Sequence, residues 1–212
     1  MTQTLTAQDA FRAAYENRYT WDQDFPGFTA DVTFTNGDDS YSGQVTIKSD
    51  MSFEVTGIED ETAQKEIEGQ LWEITVHRVR RTFEESHGKN SFEFGEKEAD
   101  GSQEIKVTGA SMGNSYKIKN DTVTFVNRKI RNVIVNINTF ETLDTDEGYL
   151  SLGYDSVYFD AETKEPKGGT TFFRDSFEKI DGYYVLTERE ITSKENNEVV
   201  GKKVFTFSNV KF

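Results

Sequence analysis

The 212-residue sequence has no cysteine and contains 2 proline, 3 methionine and 2 histidine residues. Without cysteine there are no disulfides, no thiolate nucleophile and no cysteine-held metal, so a disulfide-dependent secreted domain is excluded. Two imidazoles, His77 and His87, fall short of the three or four ligands that a metal site needs, and no HExxH pattern is present. No GxSxG elbow, P-loop or GxGxxG turn occurs, which leaves acyl transfer and nucleotide chemistry without their usual geometry. Neither a metal nor a cofactor is expected, and a non-enzyme is the favoured reading. No run of about 20 apolar residues could span a bilayer, and Met1-Thr2-Gln3-Thr4-Leu5-Thr6 has neither a basic start nor an apolar stretch. The expectation is a soluble, cytoplasmic chain with no integral membrane segment.

Positive charge is also scarce. With 24 Lys and Arg against 38 Asp and Glu, the net charge of −14 argues against nucleic-acid binding, because phosphate affinity comes largely from basic side chains releasing counterions. It also weighs against broad attachment to anionic membranes. Hydrophobic residues make up only 34% of the chain, but the aromatic share of 13% supplies large side chains for a core. Scarce proline and alternating apolar residues point to a folded chain with a well-solvated surface.

Thr6-Ala7-Gln8-Asp9 has the form of a capping box, and Ala10, Phe11, Ala14 and Tyr15 follow as one apolar stripe. This predicts a short amphipathic helix to about Tyr19. Beyond Pro26-Gly27, Phe28, Ala30, Val32 and Phe34 alternate with polar residues, as do Tyr41, Val45 and Ile47 after the turn residues Asn36–Asp39, and Met51, Phe53 and Val55 after Ser49-Asp50. These segments predict a three-strand meander. From Asp60 the spacing of Ala63, Ile67, Leu71 and Ile74 predicts a second helix, with His77, Arg78, Arg80 and Arg81 crowded at its negative end. The remainder reads as short antiparallel strands separated by polar or glycine-containing turns. Asp144–Gly148 lacks calcium-loop spacing and reads as one such turn.

The fold class is therefore α+β, mostly antiparallel: a single curved sheet or open half-barrel with two helices packed against it, in one domain spanning residues 1–212. Late strands with apolar residues on both faces, such as Leu152, Tyr154 and Tyr158 opposite Val157 and Phe159, suggest a helix-covered face and a concave or ligand-lined one.

Two groups stand out as candidate binding residues. His77-Arg78-Val79-Arg80-Arg81 is the densest basic cluster in an acidic chain, and Arg128, Lys129 and Arg131 form a second. Arg78, Arg80, Arg81, Arg128 and Arg131 form a candidate anion rim, since guanidinium forks grip carboxylates and phosphates; pairing with abundant acids is the plainer alternative. Tyr15, Tyr19, Trp21, Phe25 and Phe28 are candidates to line an apolar pocket, or else to fill the core.

Several segments resemble the family called domain of unknown function 3386, found in cyanobacteria and plants. They are Ala14-Tyr15-Glu16-Asn17-Arg18-Tyr19-Thr20-Trp21, Phe25-Pro26-Gly27-Phe28, His77–Phe83, Glu84–Gly88, Glu147-Gly148-Tyr149-Leu150 and Gly182–Thr187. The resemblance covers nearly the whole chain and implies a photosynthetic lineage, but brings no reaction and no catalytic residues. More loosely, the order of helix, meander, helix and further strands resembles the lipoprotein-carrier (LolA-like) architecture, an open barrel with helices on its concave face. That resemblance implies a carrier for an apolar or amphipathic small molecule such as a lipid or pigment. The alternatives are a protein-interaction or assembly factor and, third, an enzyme acting on a bound lipid or pigment.

Overall fold

A computed structural model describes residues 5–212. Among them are three helices and twelve strands, mostly antiparallel sheet in open, unclosed order, as the alternating pattern predicts. The backbone contacts group into two compact units, one formed by residues up to Tyr19 with Arg81–Thr171, the other by Thr20–Arg80 with Phe172–Phe212.

In the first unit, helix α1 (Ala7–Glu16) starts at Thr6, whose hydroxyl accepts from the Asp9 backbone N–H while Asp9 returns a bond to Thr6. This reciprocal cap satisfies two N–H groups the helix cannot satisfy itself. Of the stripe read from the sequence, Ala10, Phe11 and Ala14 are buried, joined by Ala7, while Tyr15 is half-buried, and the helix ends at Glu16, short of the expected Tyr19. A five-residue helix, α3 (Phe83–His87), carries a second capping box between Thr82 and Glu85 and buries Phe83. Two helices are expected from the sequence, and α3 is the third. At five residues it is too short to show a helical period, although Thr82-Phe83-Glu84-Glu85 carries its start signal.

The strands of this unit, β4 (Asn90–Lys97), β5 (Gln103–Gly109), β6 (Ser115–Lys119), β7 (Thr122–Ile130), β8 (Val133–Thr145) and β9 (Gly148–Asp160), pair with their sequence neighbours. Register and the two-residue side-chain period assign faces. Ile105, Val107, Tyr116 and Ile118 are buried with α1 and Phe83, and Val126 packs against them. Val126 pairs with Ile137, Arg128 with Val135, and Val135 with Tyr158, so Arg128 and Tyr158 lie on the helix-bearing face. Lys117, Lys119 and Phe125 lie on the other.

The second unit contains β1 (Gly27–Asn36), β2 (Asp39–Lys48), β3 (Phe53–Thr56), α2 (Glu61–Arg78), β10 (Thr170–Ile180), β11 (Tyr183–Glu195) and β12 (Glu198–Lys211). The first three strands form the expected meander, and β12 returns beside β1. Met51 falls in the turn before β3, at φ 66°, rather than in the strand. Helix α2 buries Ala63, Ile67, Leu71 and Ile74, as its spacing predicts, and ends at Arg78, so Arg80 and Arg81 lie beyond it. Phe34 and Phe205 stack at 4.5 Å in the core of this unit. No helix among the described residues is long and apolar enough to cross a membrane.

Candidate functional site

The chemistry gathers on the helix-bearing face of the first unit, around His87. This residue ends α3 and is ringed by aromatic side chains: Phe11, Tyr15 and Phe83 lie 5.1, 5.0 and 5.3 Å from its ring centre, with Phe92 and Tyr116 at 6.0 and 6.1 Å. Burial depresses its pKa to about 4, with the charges of Arg18 and Arg128 adding to the effect. At neutral pH the ring is therefore uncharged. Its Nδ1 lies 3.5 Å from Asn90 Nδ2, and Nε2 has no hydrogen-bond partner among the described residues.

Tyr116 is the second polar group. Burial raises its pKa, while Arg128 and Arg18 oppose the shift. Its hydroxyl bonds to no described residue, and the side chain as a whole is buried at 8% exposure.

Arg18 and Arg128 bring positive charge to both groups. Just past α1, Arg18 donates Nε to the Tyr15 carbonyl at 2.9 Å and lays its guanidinium 4.0 Å from the centre of the Tyr15 ring. Two terminal nitrogens then remain for an anion. Neither Arg18 nor Arg128 forms an ion pair with a described carboxylate. The two acids of α3, next to His87 in sequence, are engaged: Glu84 is bound by Arg12, and Glu85 closes the α3 cap. In a chain of net charge −14, two guanidiniums without an ion pair among the described residues, whose charges act on one neutral imidazole and one phenol, form an anion-seeking arrangement. Exposed apolar surface adjoins it, since Ile130 is 52% and Tyr158 46% exposed on the same sheet face as Arg128.

Three contacts hold Arg18 in place. Tyr149 N–H donates to the Asn17 carbonyl at 2.8 Å and Tyr19 N–H to the Tyr149 carbonyl at 2.9 Å, while the Asn17 side chain reaches the Asp121 carbonyl.

The residues singled out from the sequence are distributed as follows. In the first unit Arg128 lies at this site, Arg81 offers its carbonyl to the Tyr15 hydroxyl at 3.5 Å, and Arg131 sits at the turn after β7 with φ 55°. In the second, Arg78 lies 5.1 Å over the Phe177 ring and Arg80 donates to Thr20. Among the aromatic candidates Tyr15 is half-buried beside His87, whereas Tyr19 is buried. Trp21, Phe25 and Phe28 pack together in the second unit, with Trp21 and Phe25 stacked at 4.1 Å and Trp21 Nε1 donating to the Tyr184 carbonyl. Sequence reasoning passes over Arg18, Tyr116 and the burial of His87. The signal for Arg18 is its position three residues after Tyr15; a strand pairing brings Tyr116 in, and no local pattern marks it.

Two other polar features occur. On the opposite sheet face, Lys117, Lys119, Phe125, Asn138 and Phe140 line an open groove of ≈ 620 Å³. Its lysines are already matched, Lys117 to Glu98 at 2.7 Å and Lys119 to Asp100 at 3.5 Å. In the second unit, buried Arg189 forks onto Asp175 and donates to Gln70 and Glu73 at 3.1 Å, fastening α2 to β10 and β11. Burial, reinforced by Asp175, raises the Glu73 pKa against the pull of Arg189. Among the described residues no group of three or more His, Asp or Glu could hold a metal ion.

Residues 2–212 match the family described as Protein of unknown function (DUF3386), and the chain belongs to that family. No curated protein matches it. Among solved structures, it is similar to a LolA superfamily protein from Nitrosomonas europaea at 12% identity and a TM-score of 0.36, covering 99% of this chain and 94% of that one. It is also similar to a DUF1329 family protein from Desulfovibrio piger at 8% identity and a TM-score of 0.31, with the same coverages.

Proposed function

We propose that this DUF3386 family member is a non-catalytic binding protein for a small amphipathic anion. The observation that carries the reading is that Arg18, laid on the Tyr15 ring beside His87, and Arg128, on the same sheet face as Tyr116, both act electrostatically on His87 and Tyr116 and neither is in an ion pair among the described residues. An acidic headgroup there accepts charge-assisted bonds from the guanidiniums and one from the phenol, while an apolar tail lies on Ile130 and Tyr158. The aromatic rings beneath His87 are packed against one another, which makes them the floor of the site and leaves the tail on the surface strip.

Calorimetric titration with decane-1-sulfonate, below its micelle concentration, tests this reading. Its headgroup stays ionised across the working pH range. The expected result is one molecule bound per chain, with affinity falling at least about tenfold in Arg18→Gln/Arg128→Gln, the loss of a charged hydrogen bond being worth about 1.5–3 kcal/mol. Methanesulfonate, which has the head without the tail, is expected to bind more weakly. Binding that is indifferent to both arginines contradicts the proposal, as does no binding.

A second reading, a protein-interaction factor, draws support from Trp72, 59% exposed on the outer side of α2. Retained partner capture in the arginine double variant and its loss in Trp72→Ala would favour it.

A further inference from the structure

We infer that anion binding at this site is coupled to proton uptake by His87, so that the protein holds its ligand more tightly in mildly acidic than in alkaline solution. The inference rests on the anion-binding reading above and adds its regulation.

The geometry supplies the coupling. His87 sits at the end of α3 with aromatic rings on several sides, and two guanidinium charges act on it with no described carboxylate to offset them. The groups presented by each packed element are few. From α1 and the residues just beyond it come Tyr15, Arg18 and Arg12, the last spent on Glu84 and Glu16. From α3 come Glu84, held by Arg12, and Glu85, held by the Thr82 cap. β4 contributes Asn90, β6 Tyr116 and β7 Arg128. Glu93, Lys117 and Lys129 point to the other sheet face by register.

A proton arriving at this imidazole in the empty protein meets two like charges and a desolvated setting, and the ring remains neutral. A bound anion reverses both conditions. It offsets the charges of Arg18 and Arg128 and offers an acceptor to an imidazolium N–H, so a proton moves from solvent to a ring nitrogen as the anion settles. Linkage makes the effect reciprocal: a ligand that raises the proton affinity of His87 is itself bound more tightly when His87 is protonated. If the anion restores His87 from about 4 to its ordinary 6.5, affinity is about tenfold higher at about pH 5.5 than at about pH 8.

Two measurements on the full chain with decane-1-sulfonate test this. The first is the Cε1–H resonance of His87, assigned with His77→Gln since the chain has two histidines. At about pH 5.5 it is expected to move from the neutral to the protonated position as ligand saturates the protein. The second is calorimetry at that pH in buffers of differing ionisation enthalpy, expected to show uptake approaching one proton per ligand. In His87→Gln the affinity is expected to lose its tenfold pH dependence and to be the same at both pH values, whereas a retained tenfold dependence overturns the coupling. Saturable, arginine-dependent binding that leaves His87 neutral overturns the coupling and leaves the binding reading intact. Absence of binding in the wild type at both pH values overturns both.

Discussion

The Tyr15 hydroxyl lies 2.5 Å from Ser86 Oγ, a side-chain bond between α1 and α3 that spans 71 residues of sequence. It fixes the ring that carries Arg18 relative to the helix that ends in His87. In a Tyr15→Phe, Ser86→Ala double-mutant cycle, a coupling of about 1 kcal/mol is expected in urea unfolding, the usual net worth of such a bond. Additive effects would show that the two hydroxyls do not act as a pair.

Gly148 offers a backbone test of how Arg18 is held. At φ 118° it passes so close to the segment after α1 that a Cβ would lie 2.5 Å from the Asn17 carbonyl oxygen. Gly148→Ala combines that overlap with a conformation L-residues rarely adopt, and a loss of about 1–3 kcal/mol is expected in urea unfolding. Because the same contact seats Arg18, decane-1-sulfonate affinity is expected to fall even at temperatures where the variant is folded. Unchanged stability would show that this junction is loose.

His87 makes a signed prediction for stability in the absence of ligand. Its pKa falls from 6.5 to about 4 on folding, so between these values the unfolded chain binds the proton that the folded one rejects. Measured against His87→Gln, the wild type gains relative stability as pH rises across this window. The gain is complete above about 6.5 and is lost as pH falls through about 4. A difference between the two proteins that does not change with pH would mean that His87 is not shielded in the fold.

In the second unit, Arg189 and Asp175 are 6% and 7% exposed and joined by bonds of 2.8 and 2.6 Å. Removing one partner strands a buried charge, and Asp175→Ala is expected to cost about 3–5 kcal/mol in chemical unfolding. Replacing both with apolar residues of similar size, Arg189→Met with Asp175→Leu, is expected to recover much of that loss. A mild effect of Asp175→Ala would show that Gln70 and Glu73 alone satisfy the guanidinium.

The elements legible in the sequence are those whose periodicity reports burial directly. Phe28, Ala30, Val32 and Phe34 mark β1, Ala63, Ile67 and Leu71 mark α2, and Thr6 with Asp9 marks the start of α1. Arg128 is legible as an unusual cation, but its companions are not. Tyr116 reaches the site through the β6–β7 pairing, and Arg18 through a three-residue offset from Tyr15. His87 lies at the end of a helix too short to show a period. The Arg189–Asp175 fork has the same character: its two residues lie 14 positions apart, on paths that only strand pairing brings together. Local pattern reveals which residues are buried, whereas the partners of a buried polar group depend on long-range register.

The claim that an anion is held between Arg18 and Arg128 is tested most directly by mapping amide and side-chain chemical shifts during titration with decane-1-sulfonate. The largest changes are expected at Arg18, His87, Tyr116 and Arg128, with Ile130 and Tyr158 following only when the ligand carries its tail. Changes centred instead on Lys117 and Lys119 in the opposite groove, or on Arg78 and Arg80, would contradict it.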